Sequence, residues 1–73
     1  MNIEKLIQIF QSEFPEVSQK FTPETRFREI STWDSLTAMS ILTTIEEQFG
    51  VVLAEKDFKL MQTIEEVYSH ISK

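Results

Sequence analysis

An all-α fold, a four-helix bundle with a short third helix and a long loop between helices 1 and 2, is what three features of this sequence predict. Apolar residues recur at helical spacing in separate segments. Residues that start or stop helices stand at the segment ends, above all Asp34, Gly50 and the Thr63–Glu66 pair. The one β-like run, "VVL" at 51–53, has no partner strand elsewhere in the chain.

The first helix is expected from Ile3, Leu6, Ile7, Phe10 and Phe14, which share one helical face. Asn2 can cap its start, and Pro15 stops it by disfavouring helical geometry at Phe14. Residues 15–33 show no sustained period, and so long a connection in a compact domain tends to be functional or internally packed. Phe21, Phe27 and Ile30 are expected to pin it, with a single helical turn starting at Thr22-Pro23.

The second helix starts near Asp34, whose carboxylate suits an N-cap. Ala38, Ile41, Leu42, Ile45 and Phe49 form its buried stripe, and Gly50 supplies a left-handed stop. Residues 51–53 then read as a buried connector. "AEKDFKLM" allows a short third helix with Phe58 and Met61 at i, i+3. Thr63 and Glu66 form a capping box ahead of the stripe Ile64, Val67, Tyr68 and Ile71. The whole chain, 1–73, makes one domain without repeats or linkers.

With 41% hydrophobic residues, six phenylalanines and no cysteine, stability has to come from helix packing, since disulfides and thiolate metal sites are ruled out. Twelve acids against seven bases give a net charge of -5, which argues against nucleic acid and points to partners with basic faces. Glu4 and Lys5 interrupt the N-terminal segment, so no signal peptide is read there, and no run is long enough for membrane insertion. The expectation is a cytoplasmic monomer. Between Arg28 and Lys56 there is no Lys or Arg, but there are Glu29, Asp34, Glu46, Glu47 and Glu55. That segment is the negative pole of the sequence, as a solvated helix face would also be.

"TWDSLTAM" at 32–39 places an acid and a serine at the start of the second helix. A nucleophilic serine needs a base within reach, and the one histidine, His70, lies at the far end of the last helix. There is no Gly-rich phosphate loop, no metal-ligand spacing and no calcium loop. The pairs Glu46-Glu47 and Glu65-Glu66 are adjacent on helices and diverge in direction, so no catalytic residue or metal ligand is assigned. The chain is read as a non-enzyme. At about 100° per residue, Leu36, Met39 and Thr43 fall off the buried stripe, with Glu46 and Glu47 flanking them further along. The long loop folding over Leu36 and Met39, or Trp33 tucking against the bundle, are the plainer alternatives to a docking strip.

These residues resemble the acyl carrier protein family, the phosphopantetheine-binding carriers of acyl and peptidyl transfer. "DSL" at 34–36 looks like the attachment motif, "IEEQFGVVL" at 45–53 like the end of the second helix, and "DFKLMQTIEEVYSHI" at 57–71 like the third and final helices. "FREIS" at 27–31 resembles the segment leading into the motif. The resemblance implies that Ser35 is esterified to 4′-phosphopantetheine and that Asp34 assists the transfer by helping to hold magnesium and coenzyme A. It also implies that Leu36, Met39, Glu46 and Glu47 contact partners, and Trp33, beside them, is expected to add to that face. Those partners would be a phosphopantetheinyl transferase and acyl-transferring, ligating or condensing enzymes. The family commonly has a small residue where Trp33 stands, and its fatty-acid members often have acids where Thr37 and Ser40 stand. Both departures favour a free-standing carrier dedicated to a specialised lipid, polyketide or related pathway. An aminoacyl or peptidyl carrier, and an unmodified helical adaptor of the same fold, are the alternatives.

Overall fold

The computed structural model describes residues 2–72, which form four α-helices: α1 Ile3–Ser12, α2 Ser35–Phe49, α3 Glu55–Phe58 and α4 Ile64–Ile71. Among the described residues there is no strand; a single antiparallel bridge joins Arg26 to Thr63. Three helix starts carry side-chain caps. Asn2 accepts the Glu4 N–H at 2.7 Å on α1, and Asp34 accepts the Thr37 N–H at 2.8 Å on α2. On α4 the capping box is complete: Thr63 Oγ1 accepts from the Glu66 backbone at 3.2 Å, and Glu66 accepts from the Thr63 backbone at 2.9 Å. Gly50 ends α2 in the left-handed region with φ 69°, where a side chain would be strained.

The core takes Leu6, Ile9, Phe10 and Phe14 from the first segment, Ile41 and Ile45 from α2, and Ile64, Val67 and Ile71 from α4. Helix α1 packs against both α2 and α4 and therefore buries a wide arc. That is why Ile9 is buried although the expected stripe omitted it, while Ile3 and Ile7 sit at the edge. The helix also ends at Ser12, short of Phe14, because tight i→i−3 bonds from Glu13 to Phe10 and from Phe14 to Gln11 close it early. Phe14 still reaches the core from that turn.

The long loop is anchored at each stage. Gln11 accepts the Phe21 N–H at 2.8 Å and donates to the Gln19 carbonyl at 3.2 Å. The Pro23 carbonyl accepts from Glu65 at 2.8 Å, tying the loop to the start of α4. At Thr22–Thr25 the chain makes a hydrogen-bonded turn where a helical turn was expected; the helical turn of this loop is instead a 3₁₀ turn at Phe27–Glu29. It places Phe27 in the core, its ring 4.7 Å from Phe10 and 5.5 Å from Phe58. The connector after α2 buries Leu53, but Val52 points out, 75% exposed, against the expectation of a wholly buried run. A short extended segment turns successive side chains to opposite sides, so one of the three has to face water.

Candidate functional site

The loop and α2 meet at Trp33-Asp34-Ser35. Asp34 has the extended backbone of an N-cap residue, its carboxylate accepts the Thr37 N–H, and the Thr37 hydroxyl and Leu36 N–H lie close enough to favour its charge. Each of these contacts favours the ionised form, so its pKa is held below the ordinary aspartate value. Ser35 is the first residue of α2 and is exposed. Among the described residues its hydroxyl has no hydrogen-bond partner and no base beside it. His70 is instead placed near Asp57, 3.9 Å away between α3 and α4. A water-exposed hydroxyl at the positive end of a 15-residue helix, with no base to activate it, is poorly set for nucleophilic chemistry of its own, and that helix end favours a negatively charged group.

Beside Ser35 lies a cleft of about 320 Å³ between α2 and α3. Ser35, Ala38 and Met39 form one wall and Glu55, Phe58 and Lys59 the other, with Trp33 and Arg28 also lining it. Trp33, expected as a partner contact, is half-buried and belongs to this wall. Its ring lies 5.1 Å from Phe27, 6.0 Å from Phe58 and 6.1 Å from Phe14. The tucked-in alternative describes its packing, and a partner meets only what the core leaves uncovered.

Leu36 and Met39 are 75% and 58% exposed, so the long loop does not cover them. Full burial of such a side chain contributes about 1.5–3 kcal/mol, most of which Leu36 forgoes. Glu46 and Glu47 are exposed on the same side of α2, opposite Ile41 and Ile45. The acidic pole is smaller than the sequence suggests. Glu29 pairs with Arg26 at 2.9 Å and Glu55 with Lys59 at 3.6 Å, which leaves Asp34, Glu46 and Glu47 without ion pairs among the described residues. Ser40 donates to Glu13 at 3.0 Å, so α1 brings an acid to a position where α2 has none.

Sequence reasoning missed Arg28. Its Nε donates to the Met61 carbonyl at 2.7 Å and its Nη2 to the Phe58 carbonyl, which binds the loop to the chain at the end of α3. Its guanidinium lies over Phe27, Trp33 and Phe58, at 5.4, 5.5 and 5.0 Å. The available signal was a cation next to Phe27 and two positions before Ile30, both expected to pin the loop to the core.

Among the described residues no group of side chains could hold a metal ion, and no helix is long and apolar enough to cross a membrane. A family model described as "Phosphopantetheine attachment site" matches residues 4–71. The acyl carrier protein of Phytoplasma australiense is 32% identical over 73 residues, covering 100% of this chain and 96% of that protein. The acyl carrier protein of Thermosynechococcus vestitus is 27% identical over 70 residues, covering 96% and 86%. In fold, the chain is similar to the solution NMR structure of holo acyl carrier protein from Geobacter metallireducens, with a TM-score of 0.76 at 23% identity, covering 96% of this chain and 80% of that one.

Proposed function

This chain belongs to the phosphopantetheine attachment-site family of acyl carrier proteins, and we propose that it carries an acyl thioester on a 4′-phosphopantetheine arm esterified to Ser35. It is a carrier and not an enzyme. The observation that supports Ser35 is its position: an exposed, unengaged hydroxyl at the first residue of α2, held in place by the Asp34 cap. When bound, the arm supplies a terminal thiol on which the cargo rides and a tether that raises its effective concentration at each partner. The residues present fit that group. The helix N-terminus favours the phosphodiester charge, and the cleft beside Ser35 offers Ala38, Met39, Trp33 and Phe58 as apolar cover.

The docking face on this reading is Leu36 and Met39 with Glu46 and Glu47, which would meet an apolar patch with a basic rim on the transferase and the acyl-handling enzymes. Thr37 and Ser40 leave the arm-proximal half of α2 uncharged, which favours a dedicated set of partners over the general fatty-acid enzymes. The test is incubation with coenzyme A, magnesium and a broad-specificity phosphopantetheinyl transferase, followed by intact mass. One arm is expected on wild type and none on Ser35→Ala; loading of Ser35→Ala would refute the assignment.

A further inference from the structure

We propose that Arg28 is an anion-binding residue for the group carried on Ser35, taking a phosphate or carboxylate oxygen that the arm or its cargo brings into the cleft. This rests on attachment at Ser35 as proposed above. Arg28 and Ser35 line the same cleft, between α2 and α3. The guanidinium is half-buried and fixed, gripped by the carbonyls of Met61 and Phe58 and stacked among three aromatic rings. Those two carbonyls leave N–H donors of the fork unused.

The other charges of the cleft are already matched. Lys59 pairs with Glu55 at 3.6 Å, and the Asp34 carboxylate is taken up by the first turn of α2. Arg28 is the exception: no carboxylate lies within ion-pair distance of it among the described residues. Its partial desolvation lowers its pKa, as expected of a cation whose charge is uncompensated. An incoming oxyanion relieves that cost and meets a preorganised donor, whereas a neutral group gains neither. The Ser35 hydroxyl ties such a group covalently to the mouth of the same cleft. A volume of about 320 Å³ admits a phosphate or the end of a short carboxyacyl chain.

Trp33, the single tryptophan of the chain, lies 5.5 Å from the guanidinium, so its emission reports on this site. The unloaded protein is titrated with free 4′-phosphopantetheine and, separately, with pantetheine, which lacks the phosphate. The loaded protein is then compared as free thiol, butyryl thioester and succinyl thioester, with intact mass confirming each species. A response to 4′-phosphopantetheine but not pantetheine assigns Arg28 to the phosphate, and a succinyl response absent with butyryl assigns it to a cargo carboxylate. Arg28→Gln should weaken the titrated response about tenfold, and Arg28→Lys should fall between. Indifference of the Trp33 emission to charge in both comparisons would overturn the proposal. So would a charge-dependent response that Arg28→Gln leaves unchanged. Should Arg28→Gln not fold, Arg28→Lys and added salt decide on the same readout, since a response that neither alters contradicts an ionic site. Failure of Ser35 to load would count against the attachment alone, because the titration of unloaded protein still judges Arg28.

Discussion

The Asp34 carboxylate accepts the Thr37 N–H at 2.8 Å, so the residue that caps the first turn of α2 also directly precedes Ser35 in the chain. Capping and charge can be separated by substitution. Asn is as good an N-cap as Asp, whereas Ala is not. Asp34→Asn should therefore melt close to wild type yet load with the arm at least about tenfold more slowly, while Asp34→Ala should lose both melting temperature and loading. Circular dichroism melts and loading rates measured by mass check the split. Equal loading of wild type and Asp34→Asn would confine Asp34 to a capping role.

The docking strip makes a prediction about size. Leu36 and Met39 are exposed, whereas Phe58 is 1% exposed against Phe27 and Trp33. Leu36→Ala and Met39→Ala should each cost less than about 0.5 kcal/mol in urea unfolding. Phe58→Ala should cost about 3–5 kcal/mol. Partner turnover should fall for the two exposed positions at unchanged stability. A core-sized loss at Leu36 would withdraw it from the docking face.

Acid should destabilise the fold through its capped carboxylates. Hydrogen bonds lower the pKa of Asp34 (from Thr37), Glu16 (from Thr32) and Glu66 (from Gln62 and Thr63). A carboxylate whose folded pKa lies below its unfolded value contributes stability that is full above the unfolded pKa and is lost as pH falls through the folded one. Unfolding free energy should thus be level near neutrality and decline once pH drops below about 4. Glu66→Gln removes one of these groups, so its stability should change less steeply with pH across that range. An unaltered slope would show that the capping box carries none of the acid sensitivity.

Much of this was legible in the sequence. Asp34, Gly50, Thr63 and Glu66 marked helix ends because caps and stops depend on the residue's own backbone chemistry. Ile41 and Ile45 of the α2 stripe and the exposure of Leu36 and Met39 followed from helical phase, which is local too, whereas Ala38, Leu42 and Phe49, expected in the same buried stripe, are only partly covered. What was not legible depended on distant partners. Arg28 finds its carbonyls at Phe58 and Met61, about thirty positions further along, and Ser40 meets Glu13 across two helices. For Trp33, a partner contact and a tucked-in packing both stayed open in the sequence because nothing adjacent reveals Phe14, Phe27 and Phe58 around it.

The Ser40–Glu13 contact also bears on partner choice. Asp34, Glu46 and Glu47 should steer encounter with basic faces, and turnover with such partners should fall as salt rises. Thr37→Asp adds charge near the arm without disturbing Glu13, at the cost of a like charge beside the Asp34 cap, whereas Ser40→Glu would set two carboxylates together in place of a hydrogen bond. Thr37→Asp should raise acylation or elongation rates with general fatty-acid synthase enzymes, and added salt should erase the gain. Wild type matching a housekeeping carrier from the same host would contradict a dedicated partner set.

The most direct measurement is peptide-level mass spectrometry of the protein purified from its native cells. The arm should be found on the peptide containing Ser35, with the cargo still attached in some fraction and the other serines unmodified. A chain that is unmodified under every growth condition, or that carries the arm on a different serine, would contradict the carrier function assigned to Ser35.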